Sequence, residues 1–163
     1  MNSQASETYE RFARSIREAG LYLFPETGYD RIVFTNGCFD LLHRGHLDVL
    51  NYARSVAGAR GTVVVGLNSD EGIKRLKGQD RPIQDEHTRA LLLIHLRMVD
   101  HVITFEEDTP YELIRALQPH VIVKGGDYDP KTVVGSDLAL VVTCPFLDGN
   151  STSNIVEKIR GIS

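Results

Sequence analysis

The run Gly61 to Leu67, Gly-Thr-Val-Val-Val-Gly-Leu, constrains the fold of this chain more than any other stretch. Its β-branched core offers no polar face, so both sides of the strand must be covered, as in a parallel strand buried between two layers. Asn68-Ser69-Asp70 follows at once and supplies side chains suited to capping a helix. Ligands of open α/β sheets gather at such carboxyl edges.

An earlier stretch has the same order. Ile32 to Phe34 is apolar, Asn36-Gly37 is a turn, and an amphipathic helical pattern begins near His43. A strand, glycine turn and helix start present backbone N–H groups and the positive end of a helix dipole to one point, a common way to hold phosphate. His43 and His46 are three apart and share a face if both lie in the first turn. Taken singly, the glycine reads as a turn residue and each histidine as a packed one. Together with Asp40 they form a constellation that points to phosphate or to metal. Zinc needs more ligands, and Cys38 and Cys144 are far apart with no Cys-x-x-Cys pair. The helix continues with Val49, Leu50, Ala53, Val56 and Ala57, and His46 heads the same stripe.

Further along, Lys74, Arg75, Lys77 and Arg81 place four cations in eight residues around Gly78. A charge run is usually a solvated face, which suits Lys74 and Arg75, whereas Lys77 in a Gly-containing loop can swing over a polyphosphate. Asp85 reads as the N-cap of a helix Glu86 to Met98, with Leu91 to Ile94 apolar almost all round and therefore buried. Arg89 lies one turn inside, where a buried flank favours a bound anion. His101 to Thr104 and Val121 to Lys124 read as short strands separated by a helix Thr109 to Leu117, and Leu138 to Thr143 as a last strand. Lys124-Gly125-Gly126-Asp127-Tyr128 ends one of them, and its paired glycines let a planar base approach the backbone. Ser151-Thr152-Ser153 precedes the spacing Ile155, Val156, Ile159 and marks another helix N-terminus. The alternation predicts parallel β/α units.

The chain has 163 residues, 42% of them hydrophobic, enough for one core without disulfides. A formal charge of -4 argues against a nucleic-acid or membrane-surface binder and for a small partner. No apolar run approaches the roughly 18 residues of a membrane span, and Met1 to Ala5 lacks a signal pattern, so the cytoplasm is expected, with both thiols reduced. Residues 1–30 are expected to be an N-terminal helix, about Ser6 to Ala19 with Tyr9, Phe12, Ala13 and Ile16 on one face and Gly20 ending it, followed by a connector. Residues 31–163 are the main domain.

Phe39-Asp40-Leu41-Leu42-His43-Arg44-Gly45-His46 resembles the His-x-Gly-His signature of the nucleotidyltransferase superfamily. Thr35 to Asp40, Asn68-Ser69-Asp70, Lys74 to Gly78, Arg81-Pro82, Phe105 to Pro110 and Val123 to Tyr128 together resemble the bacterial D-glycero-β-D-manno-heptose 1-phosphate adenylyltransferases, from about Gly20 to the C-terminus. The resemblance implies a single-domain Rossmann-like parallel α/β sheet of about five strands with helices on both faces. It implies AMP transfer from ATP to the sugar 1-phosphate, with Mg²⁺ carried on the triphosphate and no protein metal ligand assigned.

It also implies roles. His43, His46, Lys77 and Arg89 are the catalytic set. Thr35, Asn36, Gly37, Cys38, Phe39, Asp40, Lys124, Gly125, Gly126, Asp127, Ser151 and Thr152 bind nucleotide, the two hydroxyls taking the β- and γ-phosphates. Asp70, Lys74, Arg81 and Arg97 are further phosphate or substrate contacts, and Asp40 and Asp70 are also read as Mg²⁺ or ribose contacts, or simply as a turn residue and a cap. Arg97 to Asp100 resembles a stretch near a dimer interface, which predicts a homodimer or higher homo-oligomer. About 30 residues precede the first strand, too few for the sugar-kinase domain of some relatives, so separate kinase and phosphatase enzymes are expected. Phe146 stands where cytidylyltransferases tend to carry Arg, which counts against CTP. The alternatives are a cytidylyltransferase acting on glycerol 3-phosphate or a related phosphate, and an ATP-sensing module without turnover.

Overall fold

A computed structural model gives the fold; it describes residues 7–11, 14, 31–126, 129–145 and 151–161. Five strands form one sheet: β1 (Ile32–Gly37), β2 (Thr62–Asn68), β3 (His101–Phe105), β4 (Val121–Gly125) and β5 (Leu140–Cys144). Between them lie helices α1 (Arg44–Ala57), α2 (Asp70–Lys77), α3 (Glu86–Ile94) and α4 (Tyr111–Leu117), with α5 (Thr152–Arg160) after the last strand. Every pairing is parallel, in the order β3-β2-β1-β4-β5.

The valine run behaves as its composition requires. Val64 joins Phe34, Phe105, Leu113, Ile114 and Ile122 on one face, where α4 packs. Val63 meets Val33, Ala53, Val121 and Val123 on the other, and Val65 meets Leu50, Leu67 and Leu93 beside them, so α1 and α3 cover that side. Alternate residues of one strand thus feed opposite cores, as the pleat dictates. The chain runs outward from β1 to β2 and β3, then returns to place β4 on the free side of β1. This reversal opens a crevice at the carboxyl ends of β1 and β4, where open α/β sheets bind ligands.

Several boundaries differ from those expected. α3 stops at Ile94, not Met98, because Leu96 and Val99 turn back into the core and His95 caps the end, its N–H bonded to the Leu91 carbonyl and that of Leu96 to the Leu93 carbonyl. Nor is its apolar run buried all round: Leu93 is inside, while Leu91, Leu92 and Ile94 are 40–46% exposed. α4 begins at Tyr111 with Pro110 as its N-cap, and β5 begins at Leu140 rather than Leu138. Residues 7–11 are helical; Tyr9 is buried in the α4-side core and donates to Glu107 at 2.9 Å. The remainder of the expected N-terminal helix, with Phe12, Ala13, Ile16 and Gly20, and the connector after it lie outside the described residues, as do Asp127, Tyr128 and Phe146.

Candidate active site

A cavity of about 450 Å³ opens at the β1/β4 reversal, within the usual size range of small-molecule sites. β1 contributes Thr35, Asn36 and Gly37, and β4 contributes Lys124 and Gly125. A Cβ on Gly125 would lie 2.5 Å from Val49 Cγ2, so only glycine lets α1 come this close to β4. Gly126, at φ 108°, turns the chain away from the strand and donates to the Cys144 carbonyl at 3.1 Å.

The β1–α1 turn and the first turn of α1 supply Phe39, His43 and His46. Phe39 is buried at φ 46°, a left-handed conformation that a bulky residue adopts only when its surroundings enforce it. Its ring lies 4.9 Å from that of His46. His43 is the N-cap of α1, yet its side chain makes no capping bond; it stacks on His46 with ring centres 3.7 Å apart. The Nδ1 atoms of both rings are buried without a partner. Burial lowers His43, with help from the nearby Lys77 charge. Burial also dominates in lowering His46 to about 4, with His43 and Lys77 adding to it. Both rings are therefore neutral near pH 7 and poised to gain a proton when an anion arrives.

Opposite them stand Ser151 and Thr152 at the start of α5. Ser151 Oγ accepts from Asn154 N at 3.1 Å, an N-cap, and the buried Thr152 donates to the Leu41 carbonyl at 3.5 Å. Two helix N-termini, those of α1 and α5, thus border one cavity. Lys77 completes its rim. It is the last residue of α2 and exposed, not part of a loop as expected; Gly78 caps the helix behind it at φ 96°. The cavity also takes in Gly45, Val49 and Ser153. Sequence reasoning had passed over these three, although the one-turn spacing of Gly45 and Val49 along the signature helix placed them on its face.

Other expected site residues do not line this cavity, and each has a physical reason. Arg89 is 1% exposed and its donors are spoken for: Nε bonds the Gln84 carbonyl at 3.0 Å, Nη1 the Cys38 and Asn68 carbonyls at 2.7 and 2.8 Å, and Nη2 Asp70 at 2.6 Å. The anion it holds in this structure is Asp70. Asp40 is equally committed, accepting from Arg81 Nε at 2.7 Å and from the N–H groups of Ile83 and Gln84 at 2.8 and 3.0 Å. Both Asp40 oxygens are thus engaged inside the protein, while the Arg81 guanidinium, ion-paired with Asp40, leaves its Nη2 without a hydrogen-bond partner. Lys74 pairs with Glu71 on the surface, and Arg97 is exposed in the turn after α3. Cys38 gives its carbonyl to Arg89, and its thiol, like that of Cys144, is free. Asp70 instead lines a second cavity of about 510 Å³ with Asp85, Glu86 and His87, whose acidic wall would repel phosphate.

The parallel sheet has a crevice at its reversal point, lined by basic and hydroxyl groups, an arrangement that suits an anionic ligand. A cytidylyltransferase-like family model matches residues 34–155, from β1 to α5, and the chain belongs to that family. It is 52% identical over 145 residues to the bifunctional protein HldE of Helicobacter hepaticus, covering 88% of this chain and 30% of that one. HldE of Nitratiruptor sp. is 47% identical over 168 residues, covering 94% of this chain and 36% of the relative. The chain thus spans about a third of the length of these curated relatives. Two solved structures share the fold. A lipopolysaccharide core biosynthesis protein from Thermoplasma volcanium has a TM-score of 0.58 at 24% identity over 74% of this chain and 98% of its own. A macrolide-efflux protein from Streptococcus pneumoniae has a TM-score of 0.59 at 21% identity over 82% of this chain and 53% of its own. No helix among the described residues is long and apolar enough to cross a membrane.

Proposed function

We propose that the protein transfers AMP from ATP to D-glycero-β-D-manno-heptose 1-phosphate, giving ADP-heptose and pyrophosphate in the cytoplasm as a precursor of lipopolysaccharide or another surface glycan. The observation that carries the reaction class is the lining of the cavity: His43, His46, Lys77 and Lys124 converge there with no carboxylate among the described lining residues. Only a strongly anionic ligand suits such a wall. The motif order from Thr35 to Tyr128 carries the choice of ATP and of the heptose acceptor.

In this reading the triphosphate lies against the N-termini of α1 and α5. His43 and His46, which both line the cavity, donate to phosphoryl oxygens of the triphosphate. Lys77 adds charge from the rim as negative charge moves onto the leaving pyrophosphate. The reaction then runs on positioning and electrostatics, without an enzyme nucleophile. Mg²⁺ is expected to arrive on the triphosphate. Among the described residues no group of three His, Cys, Asp or Glu is placed to hold a metal. No step is assigned to it.

We further propose that the exposed Leu91, Leu92 and Ile94 face of α3, with Arg97 beyond it, meets a second copy of the chain. Sedimentation equilibrium of the wild type and of a Leu91→Lys, Ile94→Lys variant tests this, and a monomer at micromolar concentration would remove the idea.

The deciding experiment for function measures pyrophosphate release with ATP and with CTP, each offered heptose 1-phosphate and glycerol 3-phosphate. ATP with the heptose is the expected pair, by about 10⁴-fold over CTP, the discrimination that unpaired base-edge groups can give. A preference for CTP with glycerol 3-phosphate overturns the proposal, and ATP binding without turnover would favour a sensing module.

A further inference from the structure

Nucleotidyl transfer to a phosphate brings two anions together, and the cavity offers basic side chains on two parts of its wall to meet them, the α1 start with Lys77 at the rim and β4. His43, His46 and Lys77 form one electrically connected set: the Lys77 charge lowers both histidines, and His43 lowers His46. Lys124 stands apart from that set. It sits on β4 across the reversal point and donates to Asn36 Oδ1 at 2.7 Å.

That bond uses one of three ammonium donors. No carboxylate among the described residues pairs with Lys124, whereas Arg81 and Arg89, also largely buried, each have their own aspartate. Burying an ammonium without an anion is costly, and burial lowers Lys124 to about 8. Asn36, at the end of β1, cannot neutralise this charge. It can only fix where the ammonium points.

The acceptor chemistry follows from the same wall. The described residues that line the cavity include no carboxylate, and an acceptor whose attacking oxygen is already ionised needs none to take a proton. A phosphomonoester brings an oxygen that is already ionised. We propose that Lys124, held by Asn36, is the anchor for the phosphate of the acceptor and sets it across the crevice from the triphosphate on the histidine side. The inference rests on the nucleotidyl-transfer reading above and gives its second substrate a subsite. An acceptor phosphate oxygen forms a bond to the α-phosphorus of ATP as the bond from that phosphorus to the α,β-bridging oxygen breaks. Pyrophosphate leaves with the electron pair, and no proton need pass to the protein.

The test titrates wild type, Lys124→Met and Lys124→Arg with α,β-methylene-ATP, and then with heptose 1-phosphate in the presence of that analogue. Lys124→Met is expected to weaken acceptor binding by at least about tenfold, the scale of one charge-assisted hydrogen bond, and analogue binding by less than about threefold; Lys124→Arg should recover part of the acceptor loss. Thermal melting should show Lys124→Met at least as stable as wild type, since an unpaired buried charge has gone, and Lys124→Gln serves if the Met variant misfolds. Losses confined to the ATP analogue, equal losses for both ligands, or no loss at all would each overturn the assignment. Wild-type protein that binds the analogue but turns over no phosphomonoester overturns this inference and the proposed function together. Turnover of a phosphomonoester other than the heptose discards only the heptose, and the Lys124 comparison is then made with that compound.

Discussion

Two sets of charged side chains surround the β1–α1 turn, and they are satisfied to different degrees. In one, Arg89 and Asp70, and Arg81 and Asp40, meet their partners inside the protein and bond five backbone groups besides. In the other, His43, His46, Lys77 and Lys124 face a cavity with no carboxylate among its described lining residues, and the two imidazole Nδ1 atoms have no hydrogen-bond partner among the described residues. The first set ties the turn at Cys38, the end of β2 and the segment before α3 to one another. The second is left for something that is not protein. Completed charges hold a shape, and uncompleted ones await a ligand.

The sharpest way to break this distinction is Arg89→Ala. Removing one partner of a buried pair costs about 3–5 kcal/mol, and here the lower end is expected, about 3 kcal/mol, because Asp70 is 33% exposed and water can reach it. Urea unfolding would read this as a lower midpoint with little change in slope. Arg89→Lys should recover little, since an ammonium cannot span the acceptors the guanidinium fork reaches. A variant of normal stability that had lost ATP binding would restore the phosphate role that the sequence alone implied.

On the cavity side, the expected loss is in turnover. His46→Ala, and separately His43→Ala, should lower kcat by at least about a hundredfold, the scale of one lost donor to transition-state charge. Melting temperature should hold or rise, because each ring buries an unpaired nitrogen. Near-normal turnover in either folded variant would make the stacked pair a packing feature.

The contrast also explains what could be read from the chain. The sheet was legible because the valine run, the Asn36-Gly37 turn and the capping residues Ser69, Asp85 and Ser151 are local signals, and local signals fix strands, turns and helix starts. The grouping of Thr35, Asn36, His43, His46, Ser151 and Thr152 followed, since all sit at carboxyl ends of strands or at helix N-termini. Arg89 was misread for the opposite reason. Its partners Cys38 and Asn68 are 51 and 21 residues away, and no local pattern says where a guanidinium will find its acceptors. Asp40 and Arg81, 41 residues apart, hid their pairing in the same way. The burial of α3 was overread because an apolar run does not show how many of its sides the fold will cover; Leu93 is covered and Leu91 is not. Lys124 was read through its neighbouring glycines, and only the structure sets its ammonium beside Asn36.

A smaller effect sharpens the role of Lys77. It sits at the rim on the end of a helix, exposed, so it can reach a ligand but does not shape the cavity floor. Lys77→Ala should lower kcat by about tenfold, one charge-assisted bond, and change the dissociation constant of α,β-methylene-ATP by less than about threefold. Equal losses in both would mean that Lys77 binds ground state and transition state alike.

The smallest expected effect is a proton. Free His46 titrates at about 4, lowered first by burial and then by His43 and Lys77, against 6.5 for an unperturbed imidazole. Between those values the unfolded chain binds more protons than the folded one, so His46 makes the free protein less stable as pH falls from 6.5 toward 4. A bound polyphosphate reverses the balance by placing negative charge against the rings, which raises their affinity for protons. ATP-analogue binding should therefore take up a fraction of a proton at about pH 6 and tighten as pH falls. At that pH Lys124, lowered only to about 8, is already charged and contributes nothing to the uptake. Calorimetric titration at one pH in two buffers of different ionisation enthalpy gives the proton number directly. It should be positive for wild type and reduced in His46→Ala. Zero uptake by the wild type would mean that the histidines meet the phosphates as neutral donors.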